Sequence, residues 1–229
     1  MTETNACAQQ KKSDIVVSDV SKSFDGREIL HSLSFTVQAG EFVSVTGESG
    51  SGKSTLLGIM GGVMRPDKGS VTVGGTDIAS LSEKELAKMR RTKLGFVYQF
   101  FNLIPTMTVR DNILLPLILD GKKISRYEQK FNELVEFTHL SAVLDSYPEK
   151  LSGGEQQRAA ILRALIHDPE VILLDEPTGN LDSENARAVM ELLSDLNKTY
   201  GVTIVQVTHS EQGAAYGNRV ITIKDGSLQ

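Results

Sequence analysis

Short apolar segments alternate with polar turns along the first hundred residues of the chain. In most of these segments every second residue is apolar, which is typical of β-strands with one buried face. Glycine-containing pairs such as Asp25-Gly26 and Ala39-Gly40 predict turns between them. The predicted strands of this part are Ile15–Val20, Ser32–Val37, Glu41–Thr46, Ser70–Val73 and Leu94–Tyr98.

Later strands have a different pattern. Val171–Leu174 is apolar at every position, and the mostly apolar segment Val202–Val207 follows it. Continuous apolar runs of this length are typical of strands buried on both faces of a parallel sheet. Val220–Ile223, followed by the turn Asp225-Gly226, predicts the last strand. Strands of this kind predict the parallel sheet of an α/β fold.

Apolar residues three and four positions apart predict helices between these strands. Ser82 followed by Glu85 is a capping-box pattern, which predicts that a helix begins there. From Thr108 to Tyr147 the pattern is helical but irregular, and we interpret this part as an insertion in the core. The predicted helices are one carrying Leu56, Leu57, Ile59 and Met60, then Leu81–Arg91, Asp111–Leu119, Arg126–Leu140, one from Ser152 through Leu165, and one after Asp182 with Val189, Met190, Leu193 and Leu196 on one face.

The segment Gly47–Ser54 matches the phosphate-binding pattern G-x-x-x-x-G-K-[ST], between a predicted strand and a predicted helix. Its glycines let backbone N–H groups point inward toward phosphate oxygens, and the helix adds its positive N-terminal end. Lys53 would contact the β- and γ-phosphates, and Ser54 would offer a hydroxyl to Mg²⁺. A Gly-Ser turn with one solvated lysine is the weaker alternative. The segment predicts binding of a nucleoside triphosphate.

A second phosphate-binding helix end is predicted at Leu151–Arg158. Ser152 and Glu155 form a capping box, and Gly153 and Gly154 leave the first N–H groups open to an anion. Because the chain already has one phosphate loop, this helix end is expected to reach a nucleotide held by another subunit of a two-fold dimer. The alternative is a merely well-capped helix.

Polar residues follow three of the predicted strands. Asp175 and Glu176 follow Val171–Leu174 directly, at the sheet edge where ligands bind in open α/β sheets. Asp175 could hold Mg²⁺ through water, and Glu176 could orient or deprotonate the water that attacks the γ-phosphate. His209 could contact the γ-phosphate, although a lone histidine is more often a surface or core residue. Gln99 could give a carbonyl oxygen to Mg²⁺, although a solvated loop glutamine is the better interpretation of Gln99 alone.

Two aromatic features each allow two interpretations. Phe24 lies about two dozen residues before the glycine loop, where an exposed ring could stack on adenine. A core phenylalanine on an early strand explains the spacing equally well. The apolar cluster after Gln99 is better explained as ordinary subdomain core than as a groove for a partner's helix; its members are Phe100, Phe101, Leu103 and Ile104.

The composition indicates a globular chain of 229 residues, with 40% apolar and 23% charged residues. A net charge of −5 argues weakly against a protein that grips a nucleic acid backbone. The longest apolar run, Ile113–Leu119, is far shorter than the ~20 residues that span a bilayer. Residues 1–13 contain no apolar signal segment and are expected to be a flexible tail, in which Cys7 is an inert thiol. We therefore expect a cytoplasmic protein with one domain at residues 14–229.

Together the motifs resemble the ATP-binding subunit of ABC transporters over nearly the whole chain, from about residue 14 to its end. The resemblance implies a P-loop NTPase (RecA-like) core with a parallel sheet, an N-terminal antiparallel β subdomain and a helical subdomain inserted at about 100–165. It also implies two copies that close around two Mg-ATP and drive a transmembrane permease from the inner face of the membrane, without nucleic acid. The motifs are, in order, Gly47–Ser54, Gln99, Leu-Ser-Gly-Gly-Glu-Gln at Leu151–Gln156, Val171–Glu176, Asp182 and His209.

The resemblance gives each motif residue a role. Glu176 would be the catalytic base, His209 the switch histidine and Gln99 the link between Mg²⁺ and the permease, with Ser54 and Asp175 as the other metal ligands. Phe24 stands where the family more often has a tyrosine, so stacking on adenine should be retained. Asp182 is also assigned to the site, where it could cap a helix or contact the partner subunit. The residues assigned to ATP binding are Phe24, Gly47, Glu48, Ser49, Gly50, Ser51, Gly52, Lys53, Ser54, Thr55 and Asp182, with Ser152, Gly153, Gly154 and Gln156 at the nucleotide of the partner copy.

A closer likeness is carried by Gly95–Val109, Leu151–Arg158 and Asp175–Asp182. All three are similar to the lipoprotein-release, macrolide-efflux and antimicrobial-peptide-resistance ATPases, and to the cell-division ATPase that works with a membrane partner. Permeases of this group perform export, extraction or mechanical work. A soluble ABC-type protein acting on nucleic acid or ribosomes would carry long coiled-coil insertions or two cassettes, and neither is present in this sequence. A P-loop kinase or GTPase would leave Leu151–Gln156 unexplained.

Overall fold

The computed structural model describes residues 14–229, so the expected tail 1–13 with Cys7 lies outside the described residues. The strands are β1 (Ile15–Phe24), β2 (Arg27–Val37), β3 (Phe42–Thr46), β4 (Lys68–Val73), β5 (Thr76–Asp77), β6 (Leu94–Val97), β7 (Val171–Asp175), β8 (Thr203–Val207), β9 (Arg219–Lys224) and β10 (Ser227–Leu228). The helices are α1 (Lys53–Met60), α2 (Glu83–Thr92), α3 (Val109–Leu119), α4 (Glu128–Phe137), α5 (Gly153–Leu165), α6 (Ser183–Tyr200) and α7 (Glu211–Ala214), with short 3₁₀ turns at Ile78–Ser80, Ile124–Arg126, Ser141–Val143 and Pro148–Lys150.

The first sheet is antiparallel, with the strand order β2-β1-β4-β5. The strands β1 and β2 are longer than their apolar alternation predicts, because they continue into a tight hairpin at Asp25 and Gly26. Both residues have positive φ, 49° and 80°, as a two-residue Asp-Gly hairpin turn requires. The added residues are mostly exposed, so no apolar pattern marks them. The hairpin places Phe24 at the end of β1.

The second sheet has the order β10-β9-β3-β8-β7-β6, and all its neighbouring strands are parallel except the edge pair β9 and β10. The strand β7 lies between two apolar cores. Val171 and Leu173 face the core formed with α1 and the antiparallel sheet, whereas Ile172 and Leu174 face the core formed with α3, α5 and α6. This arrangement confirms the prediction of a strand buried on both faces, and the α/β fold with its parallel sheet.

The carboxyl ends of four neighbouring parallel strands carry the predicted functional segments. The glycine loop follows β3, Gln99 lies two residues after β6, Glu176 follows β7, and His209 lies two residues after β8. Because these strands run in the same direction, their carboxyl ends meet at one edge of the sheet. The fold thus gathers residues that are distant in sequence.

Helix starts follow the sequence pattern closely, whereas one helix is shorter than predicted. Ser82 and Ser152 both form complete capping boxes. The helix α4 spans Glu128–Phe137 instead of Arg126–Leu140, because a 3₁₀ turn precedes it and His139 adopts a positive φ of 55° just after its end. No helix within residues 14–229 combines the length and apolar character needed to cross a membrane.

Candidate active site

The glycine loop joins β3 to α1 in a conformation that requires glycine. Gly47 and Gly52 have φ values of 149° and 98°. A Cβ atom on Gly47 would lie 2.1 Å from the carbonyl oxygen of Ile223, and one on Gly52 would lie 2.5 Å from a methyl group of Leu30. Gly52 is the N-cap of α1 and provides no side-chain cap, so the first backbone N–H groups of the helix are available to an anion.

Lys53 is the cation of the loop and is only 7% exposed. Its Nζ donates hydrogen bonds to the carbonyl oxygens of Gly47, at 2.9 Å, and of Glu48, at 2.7 Å. Both acceptors are neutral carbonyl groups, so neither of them offsets the charge of the lysine. A phosphate group would be a stronger acceptor for the same ammonium group.

Ser54 and Asp175 form the second polar pair of the site. The hydroxyl of Ser54 donates a 2.9 Å hydrogen bond to Oδ1 of Asp175. Burial raises the pKa of Asp175; the hydrogen bond from Ser54 opposes this shift, and the neighbouring charge of Glu176 adds to it. A hydroxyl and a half-buried carboxylate are the hard oxygen donors that suit Mg²⁺. In residues 14–229 no three His, Cys, Asp or Glu side chains are grouped to hold a metal, so phosphate and water oxygens would complete such a site.

Glu176 and His209 are in direct contact. Oε1 of Glu176 lies 2.9 Å from Nδ1 of His209, and the backbone N–H of His209 donates to Oε2 at 3.4 Å. The carboxylate is mostly buried, whereas the imidazole is 67% exposed. Glu176 has a φ of 48°, and its N–H donates to the carbonyl oxygen of Val207 at 3.0 Å. This left-handed backbone conformation is strained for a residue with a side chain. The hydrogen bond to Val207 of β8 stabilises the conformation.

One pocket of about 390 Å³ brings Lys53, Ser54, Glu176 and His209 together, whereas Asp175 is not among its lining residues. Phe24 forms part of its wall and is 44% exposed, so the interpretation of Phe24 as a core residue is wrong. Ile29 lies beside it on β2 and has no chemistry that sequence analysis could have recognised. The pocket is lined by Phe24, Ile29, Ser49, Gly50, Gly52, Lys53, Ser54, Thr55, Glu176 and His209.

The segment Ser152–Gln156 does not line this pocket. The hydroxyl of Ser152 accepts the N–H of Glu155, and Nε2 of Gln156 donates to the carbonyl oxygen of Leu151. A Cβ atom on Gly154 would lie 2.4 Å from Oδ1 of Asn185, so this glycine permits close packing of α5 against the start of α6.

Asp182 also lies outside the pocket and caps a helix. Its Oδ1 accepts the backbone N–H of Asn185 at 2.9 Å, and its Oδ2 accepts the side-chain amide of the same residue at 2.7 Å. These hydrogen bonds hold the pKa of Asp182 below its usual range. The structure therefore shows Asp182 as a helix cap, and its contact with a partner subunit stays a prediction.

Gln99 faces a turn of its own chain. Its carbonyl oxygen accepts the side-chain amide of Asn180 at 2.8 Å, and its Nε2 lies 3.5 Å from Oδ1 of Asn180. Among the described residues, Gln99 has no hydrogen bond to Ser54 or Asp175. Asn180 was missed by sequence analysis because its partner is 81 positions away.

Glu48 and Ser51 are not among the residues that line this pocket. They line a neighbouring cleft of about 280 Å³ with Arg27, His31 and Lys224. Only the carbonyl oxygen of Glu48 contacts Lys53. Its exposed carboxylate is therefore not part of the pocket wall.

Comparison with known proteins finds similar sequences over most of the chain. The sequence profile of the family described as "ABC transporter" matches residues 30–179. The lipoprotein-releasing system ATP-binding protein LolD of Cytophaga hutchinsonii is 42% identical over 210 residues, which are 92% of this chain and 96% of that protein. The bacitracin export ATP-binding protein BceA of Halalkalibacterium halodurans is 43% identical over 202 residues, which are 88% of this chain and 80% of BceA.

A solved structure has the same fold. It is described as the dimeric post-hydrolysis state of the ATP-binding cassette MJ0796 bound to ADP and Pi. The two chains superpose with a TM-score of 0.85 and 39% identity, over 94% of this chain and 96% of the other. The glycine loop and the Asp175–Glu176 edge thus lie in a fold known to bind nucleotide. The chain belongs to the ABC transporter family and is an ATP-binding, ATP-hydrolysing subunit of that family.

Proposed function

We propose that two copies of this chain close around two Mg-ATP, and that each site is completed by Ser152–Gln156 of the other copy. The observation that carries the proposal is that one pocket holds Lys53, Glu176 and His209, whereas Ser152–Gln156 lies outside it. The start of α5 has phosphate-binding character, and it lines none of the clefts described above for residues 14–229. The dimeric form described for MJ0796 supports this arrangement.

Within each site we assign the following roles. Phe24 stacks on adenine, and residues 47–55 surround the phosphates. Ser54 and Asp175 would hold Mg²⁺, and Gln99 would be a further ligand. The metal supplies charge neutralisation at the transferred phosphoryl group. Glu176 accepts a proton from the attacking water through the carboxylate that His209 contacts at 2.9 Å. The Nδ1–H of His209 keeps that carboxylate oriented toward the nucleotide.

Substitution of Ser152 by arginine should abolish ATP-dependent dimerisation and leave ATP binding to the monomer within about twofold of normal. The arginine would fill the space that the partner's γ-phosphate needs and would remove the N-cap, at a cost of about 1 kcal/mol. Dimerisation can be followed by size-exclusion chromatography with light scattering, and ATP binding by equilibrium titration. Both should be measured in a background that does not hydrolyse ATP.

Ser82→Arg is the matched control for this experiment. Ser82 caps α2 with the same capping box, in which Glu85 takes the place of Glu155. The control variant should lose a similar amount of stability and still dimerise. Normal dimerisation of Ser152→Arg, or equal loss of dimerisation in both variants, would contradict the shared site.

We further propose that the chain works at the inner face of a membrane, bound to a transmembrane permease that performs export or extraction, rather than to nucleic acid. The relatives support this class of partner, since LolD is named for lipoprotein release and BceA for bacitracin export. We assign the contact to a groove of about 440 Å³ beside a helical subdomain at about 100–165. Its lining includes Phe96, Tyr98, Asn102, Leu115, Pro116 and Leu119.

The surroundings of this groove suit a partner helix. Leu119 is 63% exposed at its rim, and Phe100 is 72% exposed next to Gln99. Exposed apolar side chains beside an apolar groove are typical of a surface that another protein covers. Arg163 of α5 donates to the carbonyl oxygens of Phe101 and Asn102, which fixes the segment after Gln99 to the helix that begins at Ser152.

Leu119→Asp should prevent recovery of the permease with a tagged copy of this chain, because a buried unpaired carboxylate disfavours the contact. ATP binding by the isolated subunit should be unchanged. Tyr200→Asp is the control, because Tyr200 is also an exposed residue at the last position of a helix. Both variants therefore add a negative charge at a helix C-terminus. Recovery of the same membrane proteins with Leu119→Asp would exclude the groove as the contact.

A further inference from the structure

A buried polar pair lies beneath the His209 segment. Gln206 of β8 and Ser44 of β3 are register partners on neighbouring parallel strands, and both are fully buried. Nε2 of Gln206 donates to Oγ of Ser44 at 2.7 Å and to the carbonyl oxygen of Gly213 at 2.8 Å. Oγ of Ser44 in turn donates to the carbonyl oxygen of Ala214 at 2.9 Å. The pair therefore connects the strand of the glycine loop to α7.

The helix α7 sets the direction in which the chain leaves His209. It has four residues, Glu211–Ala214, and begins two residues after the histidine. Ser210 caps its start by accepting the N–H of Gly213. A helix this short has little stability of its own. Its last two carbonyl oxygens are the ones bound by Gln206 and Ser44, so these side chains anchor it to the sheet.

Packing alone does not explain a glutamine at this position. The flanking residues Val205 and Val207 are apolar and at most 1% exposed. Oε1 of Gln206 is buried and has no hydrogen-bond partner among the described residues. A methionine of similar length would fill the same space without a stranded acceptor, and Ser44 would still bind Ala214. What only the glutamine provides is the amide hydrogen bond to Gly213 of α7.

We propose that Gln206 is a positioning residue for ATP hydrolysis. It holds α7 against β3, and thereby keeps Nδ1 of His209 in contact with the carboxylate of Glu176. The inference rests on the proposed role of Glu176 and His209. The amide of Gln206 thus adds a link between the strand that carries the glycine loop and the segment after His209, beside the direct hydrogen bond from Ser44 to Ala214. A displacement of the glycine loop that binds the phosphates would then be transmitted to His209.

The test compares Gln206→Met in two backgrounds. In the otherwise normal chain, Gln206→Met should lower kcat for ATP about 10-fold and leave KM and ATP affinity within about twofold, because a small misplacement of a catalytic group is costly. In the His209→Ala background, Gln206→Met should lower kcat less than about twofold, because Gln206 then has no histidine left to position. Gln206→Leu serves as a second apolar variant should the methionine variant fold poorly.

A spectroscopic measurement gives an independent readout. The chain has four histidines, so the imidazole signals can be assigned by substitution. The Cε1–H signal of His209 should shift in Gln206→Met, whereas those of His31 and His139 should not. If Gln206→Met lowered kcat equally in the normal and the His209→Ala backgrounds, the positioning role of Gln206 would be overturned. A lower Tm with normal kcat and an unshifted His209 signal would also overturn it, and neither result would affect the proposed role of His209. Full activity of His209→Ala would overturn the positioning role together with the proposed role of His209.

Discussion

Replacement of Glu176 by glutamine should leave ATP binding intact and slow ATP hydrolysis by at least about 10²-fold, equivalent to about 2.7 kcal/mol of activation free energy. The amide keeps the size of the carboxylate but cannot accept a proton from water. Glu176 is the candidate because its carboxylate is held by His209 at 2.9 Å and lines the pocket that contains Lys53. Because the bound ATP would not be hydrolysed, the closed dimer should persist and accumulate after ATP is added. Turnover and dimer mass are the measurements.

Glu211→Gln is the control for this experiment. It removes an exposed carboxylate two residues from His209, outside the pocket, and should hydrolyse ATP normally. Asp175 is the other carboxylate at the sheet edge, so near-normal turnover by Glu176→Gln would make Asp175 or a substrate phosphate the proton acceptor. Slow turnover without a trapped dimer would retain Glu176 as the base and reject the coupling of hydrolysis to dimer opening.

Replacement of Lys53 by alanine should weaken ATP binding about 10²-fold. The ammonium group makes two hydrogen bonds to neutral carbonyl oxygens, and these would be exchanged for charge-assisted bonds to phosphate. Two such bonds contribute about 3 kcal/mol in total, which corresponds to about two powers of ten in affinity. Titration with a fluorescent ATP analogue, repeated with unlabelled ATP as competitor, measures the change.

Two further variants separate the charge of Lys53 from its packing. Lys53→Met keeps the buried apolar stem and should bind ATP as weakly as the alanine variant. Lys68→Ala removes an exposed lysine from β4 and should bind normally. Affinity restored in Lys53→Met would mean that the loop needs the stem and not the charge. Unchanged affinity in both Lys53 variants would reject the glycine loop as the phosphate site.

Local patterns predicted the elements whose partners are close in sequence. The capping boxes at Ser82 and Ser152 each join residues three positions apart, and the hairpin turn at Asp25-Gly26 is a dipeptide signal. The buried run Val171–Leu174 needed no partner to be recognised. The glycine loop is of the same kind, because its conformation depends on its own glycines. These features fixed the α/β fold and the main phosphate site.

Contacts between residues that are far apart in the sequence are not marked by any local sequence pattern. Ser44 and Gln206 are 162 positions apart, and each alone is an unremarked polar residue in an apolar strand. The pairing of Gln99 with Asn180 crosses 81 positions and links two loops. Ile29 joins Phe24 in the pocket wall only because the hairpin bends it there. Such pairs are defined by strand order and loop placement, which the hydrophobic pattern does not specify.

The helix α5 has a different contact at each of its two ends. It has thirteen residues and is thus about 20 Å long. Ser152, at its start, is proposed to meet the partner's ATP. Arg163, in its last turn, binds the backbone beside the groove proposed as the permease contact. A tilt of a few degrees at one end would displace the other by an ångström or more. The permease would then respond to the nucleotide held by the opposite subunit.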